Sequence, residues 1–100
     1  MKPVFDPAAA EEIEEAAGWY EAHKGGLGRD FVVEVNASIR RIIEFPNAWP
    51  PVSRRVRRLQ LTRFPYAIFY QMRGDEVFIV AVAHLHRRPE YWIGRVKSGE

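Results

Sequence analysis

Apolar residues first recur with the period of a helix and later switch to strict alternation. Ala9, Ile13, Ala16 and Tyr20 are spaced by four, three and four positions, which is one face of a helix. Asp6 is placed to cap that helix and Pro7 to occupy its first position, after a short strand at Val4-Phe5. Glu11, Glu12, Glu14 and Glu15 are expected on the outer face, near the N-terminus where carboxylates are favoured. Gly25-Gly26 ends the helix and Gly28 is read as permitting a tight return. Phe31, Val35, Ile39 and Ile42 mark the inner stripe of a second helix that stops before Pro46. So short a linker predicts an antiparallel helical hairpin.

Pro46, Pro50 and Pro51 stiffen the next loop, and from Arg54 onward the period is that of strands. Arg57, Leu59 and Leu61 point one way, and Val56, Arg58 and Gln60 point the other, predicting a strand with one polar face. Pro65 opens a second strand, with Tyr66, Ile68, Tyr70 and Met72 on one face and Ala67, Phe69 and Gln71 on the other. Arg73-Gly74-Asp75 reads as a hairpin turn. Val77 to Val82 is apolar on both faces, as in a central strand, and Pro89 to Lys97 is expected to form a short helix. The predicted order is βααβββ with a short C-terminal helix. The fold class is α+β, a helical hairpin packed on a small, mainly antiparallel sheet.

Composition adds limits. One domain spanning residues 1–100 is expected, with no internal repeat, and 47% hydrophobic residues are enough to fold without a disulfide or metal. The chain has no cysteine, which removes thiolate chemistry and fits the cytosol. No apolar run is long enough for a signal segment or a membrane span. Net charge is only +2 but is unevenly divided: residues 1–50 carry five basic and nine acidic side chains, and residues 51–100 carry ten and four. A solvated Arg-rich surface and a surface for an acidic partner, nucleic acid or polypeptide, both fit that asymmetry.

The residues with chemistry lie in the basic half. Arg54, Arg55, Arg57, Arg58 and Arg63 crowd into ten positions, and Arg87, Arg88 and Arg95 follow near the end. Guanidinium groups grip phosphate and carboxylate alike. His84 and His86 share one face of a strand; without a third ligand or a cysteine no metal is expected, which leaves proton transfer or a structural hydrogen bond. Tyr91 and Trp92 follow the Arg87-Arg88 pair, an arrangement that suits stacking on bases or anchoring an interface. No phosphate-binding glycine loop, serine triad or paired carboxylates are identifiable, and no cofactor is expected.

Three stretches resemble the RelE/ParE superfamily of toxins in type II toxin–antitoxin systems, nearest its ParE-like, plasmid-stabilisation branch. They are Ala16-Ala17-Gly18-Trp19-Tyr20 with Gly26 to Phe31, then Arg63-Phe64-Pro65-Tyr66-Ala67-Ile68-Phe69-Tyr70, and then Ala81 to Trp92 with Arg95 beyond. The resemblance implies a bacterial cytoplasmic protein that arrests growth and is neutralised by a cognate antitoxin in a hetero-oligomer. The superfamily includes gyrase inhibitors and ribosome-dependent mRNA endonucleases. In the endonucleases an arginine stands where this chain has Ala67, in a pattern reading Arg-Leu-Val-Tyr. That departure favours a DNA gyrase inhibitor over cleavage of ribosome-bound mRNA. Were the chain a nuclease, His84, His86, Arg87 and Tyr91 would carry the chemistry. Target or antitoxin contacts are expected at Arg57, Arg58, Arg63, Arg87, Arg88, Tyr91, Trp92 and Arg95. A non-toxic module binding only antitoxin or nucleic acid is the third reading.

Overall fold

A computed structural model describes residues 1–96, arranged as β1 (Lys2–Phe5), α1 (Pro7–His23), α2 (Leu27–Glu44), β2 (Val56–Gln60), β3 (Tyr66–Arg73) and β4 (Glu76–His84). A single 3₁₀ turn, Ile93–Arg95, stands where the short C-terminal helix is expected, and Lys97 lies outside the described residues. The four strands lie in the order β1-β4-β3-β2. β4 pairs antiparallel with β3, which pairs antiparallel with β2, while β1 runs parallel to β4. β4 is therefore a central strand, and its apolar residues on both faces follow from burial on both sides.

Local chemistry sets the element ends. The Asp6 side chain accepts from the Ala8 amide at 2.8 Å, so it caps α1 as its position suggests. Gly74, at φ 61°, supplies the left-handed residue of the β3–β4 turn. Gly28 departs from expectation. It lies inside the first turn of α2, not in the connection, and a Cβ there would collide with the Ala17 carbonyl oxygen of α1. Its missing side chain lets the two helices approach closely.

The helices cover one face of the sheet. Phe31, Val35, Ile39 and Ile42 of α2 pack with Ala9 and Ala16 of α1 and with Leu59, Ile68, Tyr70, Val77, Ile79 and Val82 of the strands. A register shift at Phe69/Tyr70 leaves Val80 and Ala81 both on the opposite face. There they join Val56 and Trp92 in a second buried cluster, so the β2 face expected to be polar is partly apolar. Trp92 is 1% exposed and its ring lies 5.5 Å from that of Phe69. That contact folds the C-terminal segment back onto the sheet.

Candidate functional site

The last strand and the turn after it build one wall of a cleft of about 370 Å³. Its floor is Ala67 of β3, which pairs with Ala83 of β4, beside Phe69. Arg58 of β2 stands on one side with its guanidinium 6.0 Å from the Phe69 ring. Arg87, Arg88 and Tyr91 of the turn stand on the other. Among the described residues none of Arg58, Arg87 and Arg88 has a carboxylate partner in an ion pair. The cleft is thus small, floored by methyl and aromatic groups, and rimmed by these three arginines and one carboxylate, Glu90, a net positive lining.

Glu12 holds that wall in place. Its carboxylate takes Arg95 in a two-pronged pair, Nη1 to Oε1 at 2.9 Å and Nη2 to Oε2 at 3.0 Å. The same carboxylate accepts from the Tyr91 hydroxyl at 2.6 Å and from the Val82 amide at 3.0 Å. Arg95 also donates to the Val80 carbonyl at 3.1 Å. These two backbone groups lie beyond Ile79, where pairing with β1 has ended, so Glu12 and Arg95 satisfy what would otherwise be open strand edge. Burial, and then the hydrogen bond to Glu12, push the Tyr91 phenol well above the ordinary tyrosine range. The hydrogen bond to Glu12 raises Arg95 against the desolvation that would lower it.

The expectation that Glu12 faces solvent is corrected here. It lies three residues after Ala9 and four before Ala16, on the edge of the buried stripe, and that spacing was the available signal. Glu34 was missed in the same way: its carboxylate accepts from the Thr62 and Arg63 amides at 2.6 and 3.2 Å and ties α2 to the β2–β3 loop.

The eight arginine and aromatic positions expected to bind do not form one surface. Arg58, Arg87, Arg88, Tyr91 and Trp92 meet at the cleft, although Trp92 is buried beneath it. Arg57 points to the other face of β2 and donates to the Trp49 carbonyl at 2.6 Å. Arg63 pairs with Asp30 of α2 at 3.0 Å. Arg95 is spent on Glu12. Tyr91 is flanked by two guanidiniums, Arg87 at 4.1 Å and Arg95 at 5.0 Å from its ring centre.

His84 is the last residue of β4, whereas His86 lies in the turn after it and not on the strand face expected; their ring centres are 5.1 Å apart. His84 Nδ1 accepts from the His86 amide at 3.1 Å, so the neutral ring carries its proton on Nε2. His84 and Arg87 form the ridge between the cleft and a second, open hollow of about 680 Å³ bounded by Trp19, Tyr20 and Tyr66. Among the described residues, no three of His, Asp and Glu gather as metal ligands would.

A family model described as the ParE toxin of type II toxin–antitoxin systems, parDE, matches residues 4–89. The chain belongs to that family. Toxin ParE2 of Mycobacterium tuberculosis, in two strains, is 29% identical over 80 residues, covering 79% of this chain and 76% of the relative. Among solved structures, one described as the chromosomal ParDE TA system from P. aeruginosa superposes with a TM-score of 0.74 at 19% identity, covering 84% of this chain and 95% of the other. That likeness shows the ParE fold: two helices, then a mixed sheet. The match to residues 4–89 stops before Tyr91, so the Tyr91–Glu12–Arg95 cluster joins a ParE helix to a segment beyond the matched region.

Proposed function

We propose that this ParE-family chain is a bacterial cytoplasmic toxin that inhibits DNA gyrase by binding it, and that an antitoxin neutralises it by direct contact. The observation that carries the non-nucleolytic reading is the floor of the cleft. Ala67, at the strand position where the endonucleases it resembles have an arginine, faces Ala83 and offers only a methyl group. Developing phosphate charge in a cleavage step needs a fixed cation or donor at that place. Tyr91 adds support: its hydroxyl is already given to Glu12 and its raised pKa keeps it protonated near neutral pH, so it offers no phenolate as a base and is a weak acid. Arg58, Arg87 and Arg88, none in an ion pair among the described residues, outnumber Glu90 in the cleft lining and favour an acidic surface as the partner.

The deciding experiment adds purified protein to gyrase supercoiling reactions and, in parallel, to translating ribosomes. Inhibited supercoiling with intact ribosome-bound mRNA is expected, and added antitoxin should restore the gyrase activity. Efficient codon-dependent mRNA cleavage, lost in Tyr91→Phe, would overturn the reading.

A further inference from the structure

The connection between α2 and β2 gathers a second set of arginines, none of which lines the cleft. Arg57 Nη1 donates to the Trp49 carbonyl at 2.6 Å and lies 3.5 Å from that of Asn47. The Arg41 guanidinium, from the last turn of α2, sits 5.4 Å from the centre of the Trp49 ring. Pro51 forms a bridge back to Arg57, and together with Arg54, Arg55 and Met72 these residues line a recess of about 290 Å³. Arg41 and Arg57 thereby share Trp49, and Arg57 shares the recess with Arg54 and Arg55, beside a loop stiffened by three prolines. Among the described residues, none of the four is in an ion pair; Glu44, the carboxylate nearest Arg41 in sequence, pairs with none of them.

We propose that this surface binds the phosphate backbone of duplex DNA, independently of whether gyrase is the target. A carboxylate-rich peptide would match the charge, but exposed ion pairs add little and an apolar anchor would have to supply the affinity. The recess offers only Pro51 and Met72 for that purpose. Single-stranded nucleic acid draws its affinity from bases stacked on open aromatic faces. Here Trp49 is half-buried and Arg41 lies over its ring. Phe45 is exposed on the same connection but lines no part of the recess, so what remains there is clustered, bidentate-capable cation, which suits the ligand of highest fixed phosphate density. Arg54 and Arg55 are exposed on a bend and free to reach successive phosphates, while Arg41 and Arg57 are held against Trp49 as a fixed base.

The test is fluorescence anisotropy of the purified full chain with a labelled DNA duplex between 50 and 200 mM salt. Four phosphate contacts predict that affinity falls on the order of a hundredfold over that range. The double variant Arg54→Gln, Arg55→Gln removes two contacts at exposed positions and should reduce the fall to about tenfold. Arg29→Gln, an exposed change at the far end of α2, should leave the salt dependence as in the parent chain. Circular dichroism confirms that each variant is folded. The proposal is overturned if no binding is seen at 50 mM salt, if the double variant binds as the parent does, or if polyglutamate or single-stranded RNA of equal length competes as well as the duplex.

Discussion

The Tyr91 hydroxyl donates to Glu12 Oε2 at 2.6 Å, joining residues 79 positions apart. Through Glu12 the first helix fixes the segment that walls the cleft, because the same carboxylate holds Arg95 and the Val82 amide. Trp92 lies between Tyr91 and Arg95 in sequence and is locked into the second cluster beneath them. Polar bonds above and apolar packing below thus hold one short stretch of chain.

Replacing Glu12 with Gln should destabilise the fold by about 2–4 kcal/mol, since it leaves Arg95 facing a neutral amide. The Arg95 and Glu12 side chains are 19% and 15% exposed, so the upper limit for a dry pair does not apply. Urea unfolding should show a lower midpoint at an unchanged slope. Combining Glu12→Gln with Arg95→Gln should cost less than the sum of the single changes, as for any pair that acts together.

Tyr91→Phe removes a hydrogen bond to a charged acceptor and should cost about 1.5–3 kcal/mol near neutral pH. The folded state raises the Tyr91 phenol above its usual value of 10.0, so the stability it supplies is fully present below that pH. As pH rises above it, the unfolded chain loses this proton first and the contribution declines. The gap in stability between the parent chain and Tyr91→Phe should therefore narrow above pH 10.0. Tyr20, Tyr66 and Tyr70, also raised by burial, titrate in both proteins and cancel in the difference. A gap that widens in alkali would contradict this account of Tyr91.

Two glycines in the helical hairpin should respond in opposite directions to alanine. At Gly28 the new methyl meets the Ala17 carbonyl, fixed backbone that cannot step aside, and the expected loss is about 1–3 kcal/mol. At Gly18, exposed within α1, nothing lies within 4 Å of the added carbon, and better helix propensity should gain up to about 1 kcal/mol. Thermal melts of the two single variants check both signs.

For the antitoxin contact, Arg58→Ala with Arg88→Ala should slow association and flatten its dependence on salt, with dissociation much less affected. Both positions are rim charges without an ion-pair partner among the described residues, and such charges steer encounter more than they hold a complex. Stopped-flow mixing at two salt concentrations separates the rates. Much faster dissociation at an unchanged association rate would show that these arginines are buried anchors instead.

The sequence by itself determined the elements and the main core. Asp6, Pro7, the stripe from Phe31 to Ile42 and the alternation from Tyr66 to Met72 encode helix and strand through local geometry, since period and capping depend on near neighbours alone. The resemblance in three stretches likewise pointed to the family that the match over residues 4–89 shows. Tertiary structure decided which arginines stand together. Alternation already sends Arg57 and Arg58 to opposite faces of the strand, but only packing brings Trp49 to the one and the cleft, with Arg87 and Arg88, to the other. It also decided what Glu12 does, because a carboxylate at the edge of a helix stripe reads as solvated until Tyr91 and Arg95 are brought against it. Local pattern carries backbone preference, whereas the partner of a charged side chain is set by chain packing across long separations, which no local period encodes.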